Sequence, residues 1–409
     1  MPGPLDGIRI IDITSVLLGP YGTQILADQG ADVIKVEAPP TGDIARNMGL
    51  VRNAGMAGIF LNINRNKRSL ALDLKQEDAK AVLRALIPTA DVFVHNMRPQ
   101  AIERLGFDYA AVSAIKPDIV YVGAYGFGQE GPYRAKPAYD DVIQAASGLA
   151  SLFEPQTGEA RYVPSTIADK VCGLTLSQAV TAALLHQART GEGQFVEVPM
   201  LETMVSFNMV DHINGGAFVP PIGPFGYSRV TTAARRPFET KDGFICLLPY
   251  TDPHWRNFFT AVGRPEMMDD ERFATYRARV HTIEELYAFI RSVTPEKTTK
   301  EWVAICEQGQ IPCMPVASIQ DLESDEHLEA VKMFEYHEHA SEGDTMLVRS
   351  PLKFTKTPSS IRSLAPRFGE HGAQLLAELG YSEHEIEKLF GSGAVVTDGE
   401  RTATPAEDD

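Results

Sequence analysis

The stretch IRIIDITSVLLGPYGTQILADQGADVIKV, residues 8–36, decides the fold. Residues 8–13 are β-branched and apolar apart from Arg9 and Asp12, which suits a strand. Residues 19–29 read as a helix that opens at Gly19-Pro20, where a missing N–H costs nothing, and stops at Gly30. Residues 32–36 form a second apolar strand, so the whole is a βαβ unit with parallel strands.

The alternation continues outward from that unit. Helices are predicted at 76–86, 99–105 and 109–115, and strands at 91–94 and 118–123. Together they predict a doubly wound, Rossmann-like α/β domain with a parallel sheet. The run VCGLTLSQAVTAALLH, residues 171–186, is apolar nearly all round and predicts a helix buried on most sides. A strand at 194–198 and a helix at 201–212 complete a large domain over residues 1–213.

NGGAFVPPIGPFG, residues 214–226, reads as a linker. A smaller α+β domain is expected over 227–325, with a hairpin turning at Asp242-Gly243 and helices at 254–262, 283–293 and 299–307. Residues 326–394 are mixed, with short helices at 372–379 and 383–389, and the acidic tail 395–409 is expected to be disordered.

A formal net charge of −16 over 409 residues repels nucleic acid and anionic lipid alike, so neither is an expected partner. No basic-then-apolar leader and no run of about eighteen apolar residues is present, so a cytoplasmic protein is expected. Cys172, Cys246, Cys306 and Cys313 lack paired spacing and are expected to be buried, reduced thiols. His337 and His339 are a close pair, but their i, i+2 spacing makes a metal site improbable, and none is assigned.

A dinucleotide site needs GxGxxG after the first strand, and the turn here, TSVLLGP, has one glycine. Neither a P-loop nor a GxSxG elbow occurs. Two features remain. Arg65, Lys67, Arg68 and Lys75 stand against Asp73 alone, a basic segment in an acidic chain, near strands whose ends bind ligands in open α/β sheets. In VPSTIADKVCG, residues 163–173, Thr166 and Asp169 have the spacing of a capping box, the commoner use of such a pair and the better reading of this stretch alone; a nucleophilic carboxylate is the rarer alternative.

These motifs in this order resemble the class III CoA-transferases, the CaiB/BaiF type that includes formyl-CoA transferase. The resemblance rests on LLGP at 17–20, LADQGADVIKVEAP at 26–39, Gly42-Asp43 with Arg46, and NRNKRSLALDLK at 64–75. It continues through DVFVHNMRPQAIERLG at 91–106, GFGQEGP with Tyr139-Asp140, and the P-x-x-x-A-D-x-x-x-G pattern of residues 164–173.

By that resemblance Asp169 takes the catalytic position. CoA contacts are implied at Leu17, Leu18, Leu72, Asp73, Leu74, Lys75, Asn96, Met97, Arg98, Arg104, Tyr139 and Asp140. The resemblance further implies interlocked homodimers, a C-terminal segment (326–394) returning to the large domain, and no permanently bound cofactor. Coenzyme A and acyl-CoA enter as substrates with a carboxylic acid acceptor.

The implied chemistry passes through an aspartyl anhydride and an aspartyl-CoA thioester, and a helix N-terminus is expected to hold Asp169 ionised. An α-methylacyl-CoA racemase is the rival enzyme, but residues 121–162 lack the histidine it would use. A CoA-binding protein without catalysis is the other alternative. Arg235 and Arg236 are candidates for the far carboxylate of a dicarboxylic acyl group, with succinyl-CoA as the expected donor.

Overall fold

The structure is a computed structural model in which residues 2–398 are described. The chain divides into two compact units. The first comprises the residues up to Ser147, residues 163–207 and the residues from Ala330 onward; the second comprises residues 148–162 and 208–329.

The first unit is built on a seven-stranded sheet of order β12-β3-β2-β1-β4-β5-β6. Its strands are β1 (Arg9–Ile13), β2 (Asp32–Glu37), β3 (Lys67–Leu72), β4 (Val92–His95), β5 (Val120–Tyr125), β6 (Gln194–Pro199) and β12 (Val395–Val396). Six strands run parallel, and β12 joins β3 antiparallel through Val395 opposite Leu72. The chain builds outward from β1 through β2 to β3, then crosses back to lay β4, β5 and β6 on the other side of β1. A crevice therefore opens at the carboxyl ends of β1 and β4, where such sheets bind ligands.

Helices α1 (Leu18–Asp28), α2 (Gly58–Ile63), α3 (Glu77–Leu86), α4 (Pro99–Leu105), α5 (Tyr109–Ile115) and α6 (Asp140–Ala146) follow in chain order. After α7 (Glu154–Thr157) come α8 (Ile167–Thr190) and α9 (Met200–His212). Strand alternation sorts the two faces of the sheet. Ile11, Ile34, Leu70, Phe93 and Tyr121 join the core formed with α3, α5 and the C-terminal helices, while Asp12 turns toward Thr23 of α1. On that second face α1 and α8 cross backbone to backbone. A Cβ on Gly22 would come within 2.8 Å of the Gly173 carbonyl oxygen, and one on Gly173 within 2.8 Å of the Leu18 carbonyl oxygen.

The second unit holds α10 (Ser228–Thr231), the three-stranded antiparallel sheet β7 (Phe238–Glu239), β8 (Phe244–Leu247) and β9 (Cys313–Pro315), and helices α11 (Asp252–Ala261), α12 (Tyr276–His281), α13 (Ile283–Val293) and α14 (Thr299–Gln308). Trp255, Phe258, Phe259, Tyr287 and Trp302 fill its core. α15 (Glu326–Ala330) precedes the hairpin β10 (Phe334–His339) and β11 (Gly343–Val348), which the sequence shows only as a mixed region. Helices α16 (Gly372–Glu378) and α17 (Glu383–Gly391) then cover β3 and β12 in the first unit.

Several expectations need correction. Helix α8 begins four residues before the predicted start, and only one face of it is buried; Leu174 and Leu185 on the other are each 52% exposed. Residues 67–72, to which the sequence pattern assigns no element, form strand β3, so Lys67 and Arg68 lie within a strand and not at its end. The expected disorder of 395–409 fails at Val395–Val396, which gain a partner in β3; residues 399–409 lie outside the described residues. Cys246 is exposed and Cys313 partly so, although all four cysteines are free. No described helix is long and apolar enough to cross a membrane.

Candidate active site

A cleft of about 240 Å³ lies in the first unit at the crevice beside β1 and β4. The loop after β1 supplies Ser15, Val16, Leu17 and Leu18, and the loop after β4 supplies Asn96, Met97 and Arg98. Tyr125, Gln129, Arg134, Lys136 and Tyr139 come from β5 and the segment that follows it, and Asp169 from the first turn of α8.

The β1 loop is held from below. Val16, a β-branched residue, sits at φ +72°, a conformation it adopts only when its surroundings impose it. Its N–H donates to Asp43 Oδ1 at 2.8 Å, and the other carboxylate oxygen of Asp43 pairs with buried Lys35 at 2.7 Å. Ser15 N–H donates to Asn96 Oδ1 at 3.0 Å, while Asn96 Nδ2 donates to the Ser15 carbonyl at 2.8 Å. Asn96 thus joins the two loops with both ends of its amide.

The basic segment is part of this support. Lys67 is buried, and its three N–H bonds are shared among four acceptors: Asp12 at 3.1 Å, Pro20 O at 2.9 Å, Thr23 Oγ1 at 2.8 Å and Asn64 Oδ1 at 3.0 Å. Burial opposes ionisation of Asp12, but Lys67, Lys35 and two threonine hydroxyls outweigh it and hold the carboxyl at about 2. Arg65 pairs with Asp28 at 2.7 Å, and Arg68 with Asp32 at 2.6 Å and Glu378 at 2.7 Å. Three of the four cations read as ligand-facing are consumed inside the fold.

The capping box is not formed. Thr166 makes no side-chain cap bond, and the N–H of Asp169 instead donates to Asp140 Oδ1 at 3.0 Å. A carboxylate from another helix therefore caps α8, which leaves the lone pairs of Asp169 free. Among the described residues no donor or cation meets the Asp169 carboxylate. Burial first, and then the charge of Asp140, push its pKa up to about 7, which corrects the expectation that the helix terminus holds it fully ionised. Cys172, one turn on, is no rival nucleophile, because burial and the Asp169 charge push its thiol up to about 12.

Of the residues predicted to touch CoA, Leu17, Leu18, Asn96, Met97, Arg98 and Tyr139 line the cleft with Asp169, and Asp140 lies behind it. Leu72, Asp73, Leu74 and Lys75 lie at the carboxyl end of β3 and Arg104 on α4, outside the lining. Leu72 is fully buried and Leu74 packs against the same core, whereas Lys75 and Arg104 are exposed. Arg235 and Arg236 line a separate cavity of about 290 Å³ within the second unit, with Phe238, Leu248 and Tyr287. Sequence reasoning missed Gln129, Arg134 and Lys136; the second basic cluster in GPYRAKPAYDD was the available signal.

A model of the CoA-transferase family III matches residues 5–372. The succinate–glutarate CoA-transferase of Agrobacterium fabrum is 34% identical over 387 residues, covering 92% of this chain and 96% of the relative. The formyl-CoA:oxalate CoA-transferase of Shigella sonnei is 33% identical, covering 97% of this chain and 100% of the relative. A crystal structure of a CaiB/BaiF family protein from Brucella suis superposes with a TM-score of 0.79 at 30% identity, over 93% of this chain and 100% of that one. The chain belongs to CoA-transferase family III, the CaiB/BaiF type, and is a class III CoA-transferase.

Proposed function

We propose that Asp169 is the nucleophile with which this class III CoA-transferase moves CoA from a short dicarboxylyl-CoA to a free carboxylic acid. One observation carries the proposal. Asp169 is the single carboxylate among the described residues lining the cleft, and no hydrogen-bond donor occupies it.

A carboxylate oxygen of Asp169 attacks the thioester carbonyl. The C–S bond breaks, CoA leaves as the thiolate with the bonding pair, and a mixed anhydride remains on Asp169. The thiolate then attacks the Asp169 carbonyl, which releases the donor acid and leaves an aspartyl-CoA thioester. The acceptor carboxylate reverses both steps with a new acyl group, so the atoms balance without water. Arg98, Arg134 and Lys136 at the cleft, and the exposed Lys75 and Arg104, are the cations available to the phosphates of CoA.

The names of the relatives, which specify succinate, glutarate and oxalate, support a dicarboxylate substrate. Arg235 and Arg236 are proposed to bind a carboxylate in their own cavity of the second unit; if replacing both by Ala leaves all dicarboxylate turnover intact, that proposal falls. Two copies are proposed to pair as interlocked links, which a measured solution mass of one chain overturns. A racemase would need a second acid/base group across the reacting carbon, and no histidine occurs among the described lining residues.

The test is to incubate the protein with a panel of acyl-CoA donors, add hydroxylamine, and locate the adduct by mass spectrometry. An aspartyl hydroxamate at Asp169 is expected. Exchange of the α-proton with no adduct favours the racemase, and neither result favours a protein that only binds CoA.

A further inference from the structure

We propose that Gln144 is a positioning residue for the transfer reaction, setting the geometry of Asp169 through Asp140. The proposal rests on Asp169 being the nucleophile. Gln144 lies one helical turn after Asp140 on α6 and is 1% exposed. It is absent from the cleft lining, so whatever it does it does through its neighbours.

Its side-chain amide is used at both ends. Gln144 Oε1 accepts from Val163 N–H at 2.9 Å. Gln144 Nε2 donates to Asp140 Oδ2 at 2.7 Å and to the Ser165 carbonyl at 3.2 Å, with the Val163 carbonyl at 3.5 Å. Only one orientation of the amide satisfies this set; the flipped form would oppose N–H to N–H and oxygen to three oxygens. One side chain thus fixes both the segment that enters α8 and the rotation of the Asp140 carboxylate.

That rotation matters because the second oxygen of Asp140 receives the N–H of Asp169 itself. The first turn of α8 has no cap of its own from Thr166, so the chain Gln144 to Asp140 to Asp169 N–H sets where the nucleophile stands. It also holds a negative charge against Asp169. Ionised Asp169 is disfavoured by that charge, whereas the anhydride and the thioester are neutral at this position, so the same contact favours the acylated enzyme.

The decisive variants are Gln144→Glu, which turns the donor at Asp140 into an acceptor, and the double variant Asp140→Asn with Gln144→Glu. In the double variant the amide at 140 can donate to the carboxylate at 144 while its oxygen still accepts from Asp169 N–H. Single-turnover formation of the hydroxylamine-trapped Asp169 adduct is measured per folded, CoA-binding molecule, beside KM and Tm. Gln144→Glu is expected to slow adduct formation about tenfold or more with KM changed by no more than about twofold, and the double variant to regain most of the rate.

Gln144→Met, which deletes the amide at similar length, serves if Gln144→Glu does not fold, and it is expected to slow the adduct in the same way. A residue that only stabilised the fold would lower Tm and the number of folded molecules while leaving the rate per molecule unchanged. Wild-type rates per molecule in whichever of these two variants folds, or no recovery in the double variant, overturn the inference alone. A wild type that forms no Asp169 adduct with any donor overturns the proposed function and the inference together.

Discussion

Two basic stretches of this acidic chain meet opposite fates. Residues 64–75 carry Lys67 and Arg68 into strand β3 and Arg65 into the turn before it, where they find Asp12, Asp32 and Asp28 in that order. Residues 131–139 carry Arg134 and Lys136 to the exposed wall of the cleft, with no carboxylate partner among the described residues. The difference is one of surroundings, since a cation brought against a carboxylate of a neighbouring strand or helix is neutralised by the fold while an exposed one without such a neighbour stays available. Only the second kind can answer to a phosphate.

The largest effect should come from breaking the inner set. Lys67→Met leaves buried Asp12 without its direct ion pair, with only the charge of Lys35 nearby, and should cost about 3–5 kcal/mol of stability, read by denaturant unfolding. An unchanged midpoint would place Lys67 with the ligand-facing cations instead.

Asp169 is the counter-case, a partly buried carboxylate with no cation. Its folded pKa of about 7 lies above the ordinary aspartate value of about 4, so the folded state holds its proton more tightly and stability falls as pH rises from about 4 to 7. Asp169→Asn should therefore remove turnover and, at pH 8, raise stability on the order of 2 kcal/mol after allowance for solvent access, with a smaller gain at pH 5. Loss of stability at pH 8 would return Asp169 to the role of a cap. In the wild type, adduct formation should rise with pH through about 7 and then level off, because only the ionised form attacks.

Replacing Arg134 and Lys136 together by Ala should raise KM for acyl-CoA about tenfold at low salt, less at high salt, with Tm unchanged. Arg68→Gln gives the smallest shift, about 1 kcal/mol of stability or less, because its partners Asp32 and Glu378 are a third exposed. KM should not move, and a rise would break the division between inner and outer cations.

Much of the architecture was legible because it is local. Helices 99–105, 109–115 and 283–293 follow from apolar periodicity and from flanking proline, glycine and aspartate, and they appear at those bounds. Strand β3 was hidden because Lys67 and Arg68 look solvent-seeking until Asp12 and Asp32, some 55 and 36 residues away, are brought beside them. The two valines of β12 favour a strand but are too short a run to read as one; Leu72 and Ala71 supply the pairing. At the site the position of Asp169 was legible from its motif, but its environment was not, since Asp140 lies 29 residues earlier and faces it only after α6 and α8 have packed.

The glycine crossing of α1 and α8 reaches beyond packing. Gly22 and Gly173 press two helices together, one beginning with cleft residue Leu18 and the other presenting Asp169 from its first turn. The cleft therefore has a fixed jaw whose setting is machined into the backbone, with no side chain left to trim. Any change that resizes the cleft would have to come from lining residues outside this crossing, such as Gln129 on the segment after β5.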